Sequence, residues 1–592
     1  MGVSLTNFTV GGTDLIPVKR GLINIIFYDF EVFKYDWLVV LVNSDEQTET
    51  VIVNNQMELT EYYEKNKHDV WVGYNSNHYD QYILKGILCG FNPKKINDFI
   101  IERGKAGWQY SSMFSQIPFL SYDTMVGGNS LKQLEGFFGN KIKESSIPFT
   151  IDRKLTDEEI TETIEYCKHD VYNTMAVFMK TVDDFNAILS LIKTFNLPMK
   201  YISKTKAQLS AIILGCEKID RDDEFDISIV PTLRMGKYEH IKDWFMDTDN
   251  RDYEKSMECE VAGVLHTFGW GGVHGAKEKY HSDGFIIHVD VTSYYPSLMI
   301  EYNLLSRNVT KPEKFKEIYD TRVALKQAGK KKEQAPYKIV LNGTYGICKD
   351  KMSKAYDPLQ ANNVCINGQL LLIDLIDKLE EIDGFELIQS NTDGLIVKIP
   401  DTDKHFGQLN DICYEWETRT KMGLGFDFVE EIWEKDVNNY IFSFKDKNGN
   451  LKYERKGAYV KELSDLDNNL PIVNRAVVDC LTKDIPVEYT INACEDLKQF
   501  QMICKISSKY RYLIHGDKPL SEKCVRVFAS KCDYDGGLFK LHNNKEKPDK
   551  FPSTPLHCFI ENDDVTGVEV PDKLDKEFYI NIAKDRVNSF GL

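Results

Sequence analysis

Residues 288–298 read HVDVTSYYPSL. An apolar, β-patterned run from Phe285 to Val289 delivers Asp290 at its end, and Pro296 suits the first turn of a following helix, where a missing N–H costs nothing. The stretch therefore predicts a strand, a carboxylate at the strand end, and a helix. A strand-end Asp on its own is more often a helix cap than a metal ligand, so its meaning depends on what folds around it. Downstream, FELIQSNTDGLIVKI (385–399) gives two β-rich runs around a turn with Asp393 at its mouth.

Between these two segments, YKIVLNGTYGI (337–347) places Lys338, Asn342 and Tyr345 at i, i+4 and i+7, one face of a helix. A cation, an amide and an aromatic ring on one face suit a triphosphate and a base pair. Upstream, Arg322 and Lys326 form an i, i+4 pair, and a Gly-Lys-Lys turn at Gly329 predicts that their helix folds back on the Lys338 helix. Three cations then face one anion. Basic helix faces are usually just solvated, and it is the neighbouring motifs that argue for more here.

Taken in order, these segments resemble the motifs of family B DNA polymerases. HVDVTSYYPSL is similar to the family's DxxSLYPS, matching at Asp290, Ser293, Tyr295, Pro296 and Ser297, with Tyr294 in the Leu position. KIVLNGTYG matches KxxxNSxYG with Gly343 for Ser. QSNTDG resembles the YGDTDS hairpin, with Gln389, Ser390 and Asn391 for Tyr, Gly and the first Asp, and Gly394 for the last Ser. The resemblance implies that Asp290, the Val291 carbonyl and Asp393 hold two Mg2+ ions, with Mn2+ as an alternative, while a primer 3′-hydroxyl attacks the α-phosphate of a dNTP. It assigns Arg322, Lys326, Lys338, Asn342, Ser293, Tyr294 and Tyr295 to the nucleotide, Tyr295 being the steric gate against a 2′-hydroxyl. Tyr345, Gly346, Tyr440 and Lys456 are assigned to primer-template DNA. Tyr440 in VNNYI is similar to the Tyr of a KxY motif whose Lys is here Asn438, with Lys456 as the substitute phosphate contact; aromatic core packing is an equal reading of Tyr440. Asn391 removes one carboxylate and leaves the choice of metal open.

Near the N-terminus, INIIFYDFEVF (23–33) sets Asp29 and Glu31 two residues apart, on one face of a strand. Alone, a DxE pair is usually a solvated surface feature. GYNSNHYD (73–80) adds Asn75, Tyr79 and Asp80, and EYCKHD (165–170) adds Tyr166 and Asp170 at i, i+4 on one helix face. Four gathered carboxylates would repel one another, and two cations would neutralise them, polarise a phosphodiester and lower the pKa of an attacking water. DFE, NxxxYD and YxxxD, in that order, resemble the DEDDy 3′→5′ exonuclease domain of the same family. The resemblance assigns Asp29, Glu31, Asp80 and Asp170 to two metals, Tyr166 to the water, and Asn75 and Tyr79 to single-stranded DNA, with Lys143 as a further phosphate contact.

The chain of 592 residues exceeds one hydrophobic core. The expected fold is α/β and α+β multidomain: an RNase H-like exonuclease domain (1–188), linker and start of palm (189–285), palm (286–313 and 351–463), a fingers helical pair (314–350) and a thumb (464–592). A helix running from Thr156 to about Phe185 starts with a Thr156/Glu159 capping box. Gly269, Gly271, Gly272 and Gly275 mark a turn-rich linker, and the chain after about Ser464 reads as helix and loop. A net charge of -18 argues against indiscriminate coating of nucleic acid. Between Lys505 and Lys550, eleven Lys/Arg against six Asp/Glu, interleaved with Tyr510, Tyr512 and Phe528, suit a phosphate-tracking groove or, equally, a solvated surface. Thirteen cysteines without a CxxC pair indicate no disulfide framework and no zinc site. With no apolar leader in Met1–Gly21 and no apolar span, the expectation is a cytoplasmic monomer that acts on DNA and dNTPs, away from membranes.

The compact plan and the Lys/Asn/Ile-rich composition resemble bacteriophage enzymes of AT-rich hosts. Alternative readings are an exonuclease or DNA-binding protein with an impaired polymerase half, and a primer-independent or protein-primed polymerase. About 48 residues between Asp290 and Lys338 leave little room for the insertion that resembles a terminal-protein clamp, which favours a nucleic-acid primer.

Overall fold

The computed structural model describes residues 23–591, with four short strand segments before them between Ser4 and Lys19; the reading of Met1–Gly21 as free of a leader falls outside that described body. The fold is mixed α/β and forms two compact units. One comprises Met1–Ser203, Leu463–Val473 and Ile491–Ile580; the other comprises Lys204–Glu462, Asn474–Thr490 and Asn581–Leu592. Residues 464–592, expected as one thumb, are thus divided between the two. Among the described residues no helix is long and apolar enough to cross a membrane, and all thirteen cysteines are free thiols.

The first unit is built on a five-stranded sheet in the order Thr48–Val53, Trp37–Asn43, Ile25–Val32, Val70–Gly73, Leu120–Asp123. Ile25–Val32 pairs antiparallel with Trp37–Asn43 and parallel with Val70–Gly73. Its alternation sends Tyr28 and Phe30 into a core with Trp71, Ile83 and Ile96, and Phe27, Asp29 and Glu31 to the opposite face. There Phe27 meets Phe178 of the helix Asp157–Thr194 edge-on at 5.4 Å. The Thr156 capping box forms as its sequence predicts, and the helix runs past the expected Phe185 to Thr194 because Phe185, Ile188, Leu191 and Ile192 continue the buried stripe.

The expectation of helix and loop after Ser464 is corrected. Met502–Lys505, Cys524–Ala529 and Cys558–Ile560 form one small sheet, and Lys518–Pro519, Tyr510–His515, Leu538–His542 and Asp549–Lys550 form another. These strands of two to six residues are too short for their alternation to stand out among charged residues. The groove reading of this stretch also loses two members: Arg526 and Phe528 are fully buried. All five N–H donors of Arg526 are used, Nε on the Gln501 side chain (3.1 Å), Nη1 on the carbonyls of Glu561 (3.2 Å) and Asp563 (2.6 Å), and Nη2 on those of Gly136 (3.3 Å) and Asn140 (2.7 Å). Burial pulls the guanidinium down to about 10, still cationic at neutral pH. Arg526→Met would strand those acceptors, and a loss of about 3–5 kcal/mol is expected in urea unfolding followed on this unit's helical signal.

The second unit is organised by a nine-stranded antiparallel sheet in the order Ser256–Val261, Val264–Gly269, Gly272–Ala276, Glu386–Asn391, Gly394–Lys398, Tyr280–Val291, Leu424–Asp436, Asn439–Lys445, Leu451–Lys456. The first three strands replace the expected Gly-marked linker. A two-residue turn, Ala262 (φ 49°) and Gly263 (φ 74°), closes their first hairpin, and Gly275 is small because a Cβ there would strike the buried His266 ring at 2.4 Å. Helix Pro358–Leu379, buried along most of its length, also belongs to this unit. Helices Pro312–Gln327 and Lys331–Lys349 fold back on each other through Gly329 (φ 71°), as the turn predicts.

Candidate functional site

In the second unit the central strand Tyr280–Val291 pairs with Gly394–Lys398, putting Asp290 opposite Gly394, and the Val291 amide donates to the Asp393 carbonyl at 2.9 Å. The two carboxylates predicted from distant segments therefore share one sheet end. Desolvation first, and then the Asp393 charge, push half-buried Asp290 above the usual carboxylate range; Asp393, exposed at the turn, is raised by desolvation within the cleft against the pull of His288 and Lys456. This electrostatic strain and the all-oxygen donor set suit a divalent cation.

Around them lies a cleft of about 600 Å3 lined by Asp290 to Pro296, Arg322, Lys326, Lys338, Asn342, Tyr345, Thr392 and Asp393. Ser293 takes a left-handed conformation (φ 53°, ψ 47°) at the start of helix Tyr294–Glu301, and its hydroxyl accepts from Arg322 Nη1 at 2.5 Å instead of capping the helix. Tyr295 packs on Tyr345 with ring centroids 4.4 Å apart. Tyr294 is committed elsewhere: its buried hydroxyl donates to the Gly368 carbonyl at 2.6 Å, so it anchors the helix to Pro358–Leu379. Tyr440 is also more core than surface. Its ring is buried and stacked on Phe442, with Lys456, its register partner, 5.7 Å above it. Gly346 does not line the cleft.

The residues that depart from the hairpin motif have partners. Gln389 donates to the Val437 carbonyl at 3.2 Å. Ser390 meets His266 Nε2 at 2.6 Å, and burial pushes that imidazole down to about 4, so it is neutral. Asn391 Oδ1 lies 3.1 Å from His274 Nδ1 and accepts from Thr392 at 3.2 Å. Sequence reasoning flagged none of these histidines.

The first unit carries a second cleft, of about 710 Å3, whose walls include Asp29, Glu31, Asp80 and Asp170 together with Asn75 and Tyr79. The loop that presents them is fixed by Asp123, whose carboxylate accepts the backbone amides of Asn75 (2.8 Å), Asn77 (3.0 Å) and Met125 (3.0 Å), holding Asn75 at φ 58°. Tyr79 donates to Asn97 at 2.8 Å. Burial and mutual repulsion push Asp29 and Glu31 well above the carboxylate range, and burial lifts Asp80 to about 7 despite an amide donated by Phe30. Asp170 is the exception: burial raises it, but Lys132 and His169 hold it low.

Three neighbours here escaped the sequence reading. Lys132 bridges Asp170 and the fully buried Glu135, with its amine 4.7 Å from the Tyr166 ring centroid. Cys167 donates to the Asp29 carbonyl at 3.3 Å, and Asp29, Glu31 and Cys167 offer ligand atoms within 4.8 Å of one another. The Lys132/Glu135 spacing of i, i+3 was the available signal. Tyr166 is half-buried and lies outside the cleft lining. The Lys143 backbone amide, the part of that residue tied to this group, donates to Glu135 at 3.3 Å.

Neither a family model nor a curated protein matches the chain. Among solved structures it is similar to that of the family B DNA polymerase from the hyperthermophilic archaeon Pyrobaculum calidifontis, at 14% identity and a TM-score of 0.44, over 98% of this chain and 80% of that one.

Proposed function

We propose that the chain is a family B type DNA-directed DNA polymerase that extends a primer in the second unit's cleft and removes mispaired 3′ ends in the first unit's cleft, in replication of a bacteriophage genome. One observation carries the reading: Asp290, Arg322, Lys338 and Asp393, spread over a hundred positions, converge on one cleft with the chemistry a nucleoside triphosphate requires. On this reading the nine-stranded sheet is the palm, the helix pair the fingers, and the five-stranded sheet an RNase H-like nuclease core.

Arg322, Lys326 and Lys338 bind the triphosphate and offset the charge on the departing pyrophosphate. Asn342 and Tyr345 face the nascent base pair, and the Tyr295 ring, wedged against Tyr345, lies under the sugar. Asp290, Asp393 and the Val291 carbonyl would hold divalent cations, which supply Lewis-acid activation of the primer hydroxyl and the α-phosphate. In the first unit Asp29, Glu31, Asp80 and Asp170 would hold the corresponding pair, while Asn75 and Tyr79 grip a frayed strand.

A labelled primer-template incubated with Mg2+ or Mn2+ tests both halves. With dNTPs the primer should lengthen, and without them it should shorten from its 3′ end. A primer that shortens but never lengthens with either ion would remove the polymerase half of the proposal.

The steric gate gives a separate expectation. Tyr295 is held from one side by Tyr345 and from below by Gly368, where a Cβ would sit 3.5 Å from its ring. Tyr295→Val should therefore open space at the sugar and lower dNTP over NTP discrimination by about tenfold or more. Competition between the two nucleotides in single-step extension reads this directly, and an unchanged ratio would remove Tyr295 from that role.

A further inference from the structure

Ser390, Asn391 and Gly394, three departures of the hairpin from the family pattern, each face a histidine of the same sheet, His274 and His288 from adjacent strands and His266 from one strand further on. Ser390 meets His266 and Asn391 meets His274, both through hydrogen bonds. Gly394 faces His288: a Cβ at position 394 would stand 3.1 Å from His288 Nε2 and 3.1 Å from the Val289 carbonyl. His288 precedes Asp290 by two residues on the strand Tyr280–Val291, so both side chains leave the same sheet face. Phe442 walls its far side at 6.2 Å, and Asp427 is its register partner on the next strand. A full side chain at 394 and an imidazole at 288 thus compete for one space beside the two carboxylates.

We infer that His288 is a positioning residue for the Asp290–Asp393 pair, its ring occupying the space that Gly394 leaves and fixing both carboxylates for a shared cation. The inference rests on the proposed cation site. Groups behind the ligands of a metal orient them, and losing one commonly weakens metal binding tenfold to a hundredfold. Asn391 has given up a charge at this site, which leaves orientation of the remaining carboxylates to the residues around them.

The test is Mn2+ binding by calorimetry on the full chain carrying Asp29→Ala and Glu31→Ala, so that the other acidic cleft contributes little. His288→Ala should raise the Mn2+ dissociation constant about tenfold or more. Gly394→Ser should do the same by pushing the ring aside, and the double variant should lose no more than either single one, because both changes remove the same contact. Parent-like binding in His288→Ala, or losses that multiply in the double variant, overturns the inference. If either variant fails to fold, His288→Gln and Gly394→Ala take their places, with the same results expected and the same results overturning it. Primer extension by the unaltered chain separates the two claims. No extension despite His288-dependent Mn2+ binding sinks the polymerase reading alone, and extension with His288-independent binding sinks this inference alone.

Discussion

Asp393→Ala is expected to reduce primer extension on the order of a thousandfold while shortening of single-stranded DNA continues at the parent rate. Asp393 stands at the turn beside Asp290, and its backbone carbonyl is held by Val291, so removing the carboxylate leaves the strand pairing intact. What is lost is one of two charges able to share a cation. Asp393 is exposed at the turn, so its removal takes little packing from the fold and the melting temperature should not fall. Extension and degradation assayed on one preparation, with a melting curve, decide the matter. Parent-level extension would detach Asp393 from the reaction.

The reciprocal change has an effect of similar size. Asp29→Ala with Glu31→Ala should abolish degradation of single strands and leave extension unchanged. Both side chains share one face of the strand Ile25–Val32, and both are forced upward in pKa by burial and by the charges of their neighbours. A buried and a half-buried carboxylate that repel each other contribute unfavourably to a cation-free fold, so the double variant is expected to be at least as stable as the parent. If either this variant or Asp393→Ala destroyed both activities in a folded chain, two independent sites would be the wrong description.

Much of the candidate site was legible because its residues obey local periodicities. Lys338, Asn342 and Tyr345 share a helix face, Asp29 and Glu31 share a strand face, and Thr156 with Glu159 fixed the start of the long helix. What stayed hidden depends on tertiary packing. Lys132 reaches Asp170 from a helix 38 positions away, and His274 reaches Asn391 across a strand pair whose members lie 117 positions apart. Gly275 read as a linker residue because sequence shows a missing side chain but not the His266 ring that requires its absence. The C-terminal strands were lost because charge density masked their short alternation, and Arg526 read as a groove cation although it is fully buried.

That guanidinium has a consequence for biosynthesis. Its donors reach the carbonyls of Gly136 and Asn140, so the N-terminal α/β unit completes its hydrogen bonding with a segment translated hundreds of residues later. At roughly 5–20 residues per second the ribosome needs on the order of a minute to supply it. Until then the Gly136 and Asn140 carbonyls lack those donors, and Phe137 and Ile142 lack Ile503 and Cys524, the side chains they cluster with in the finished unit.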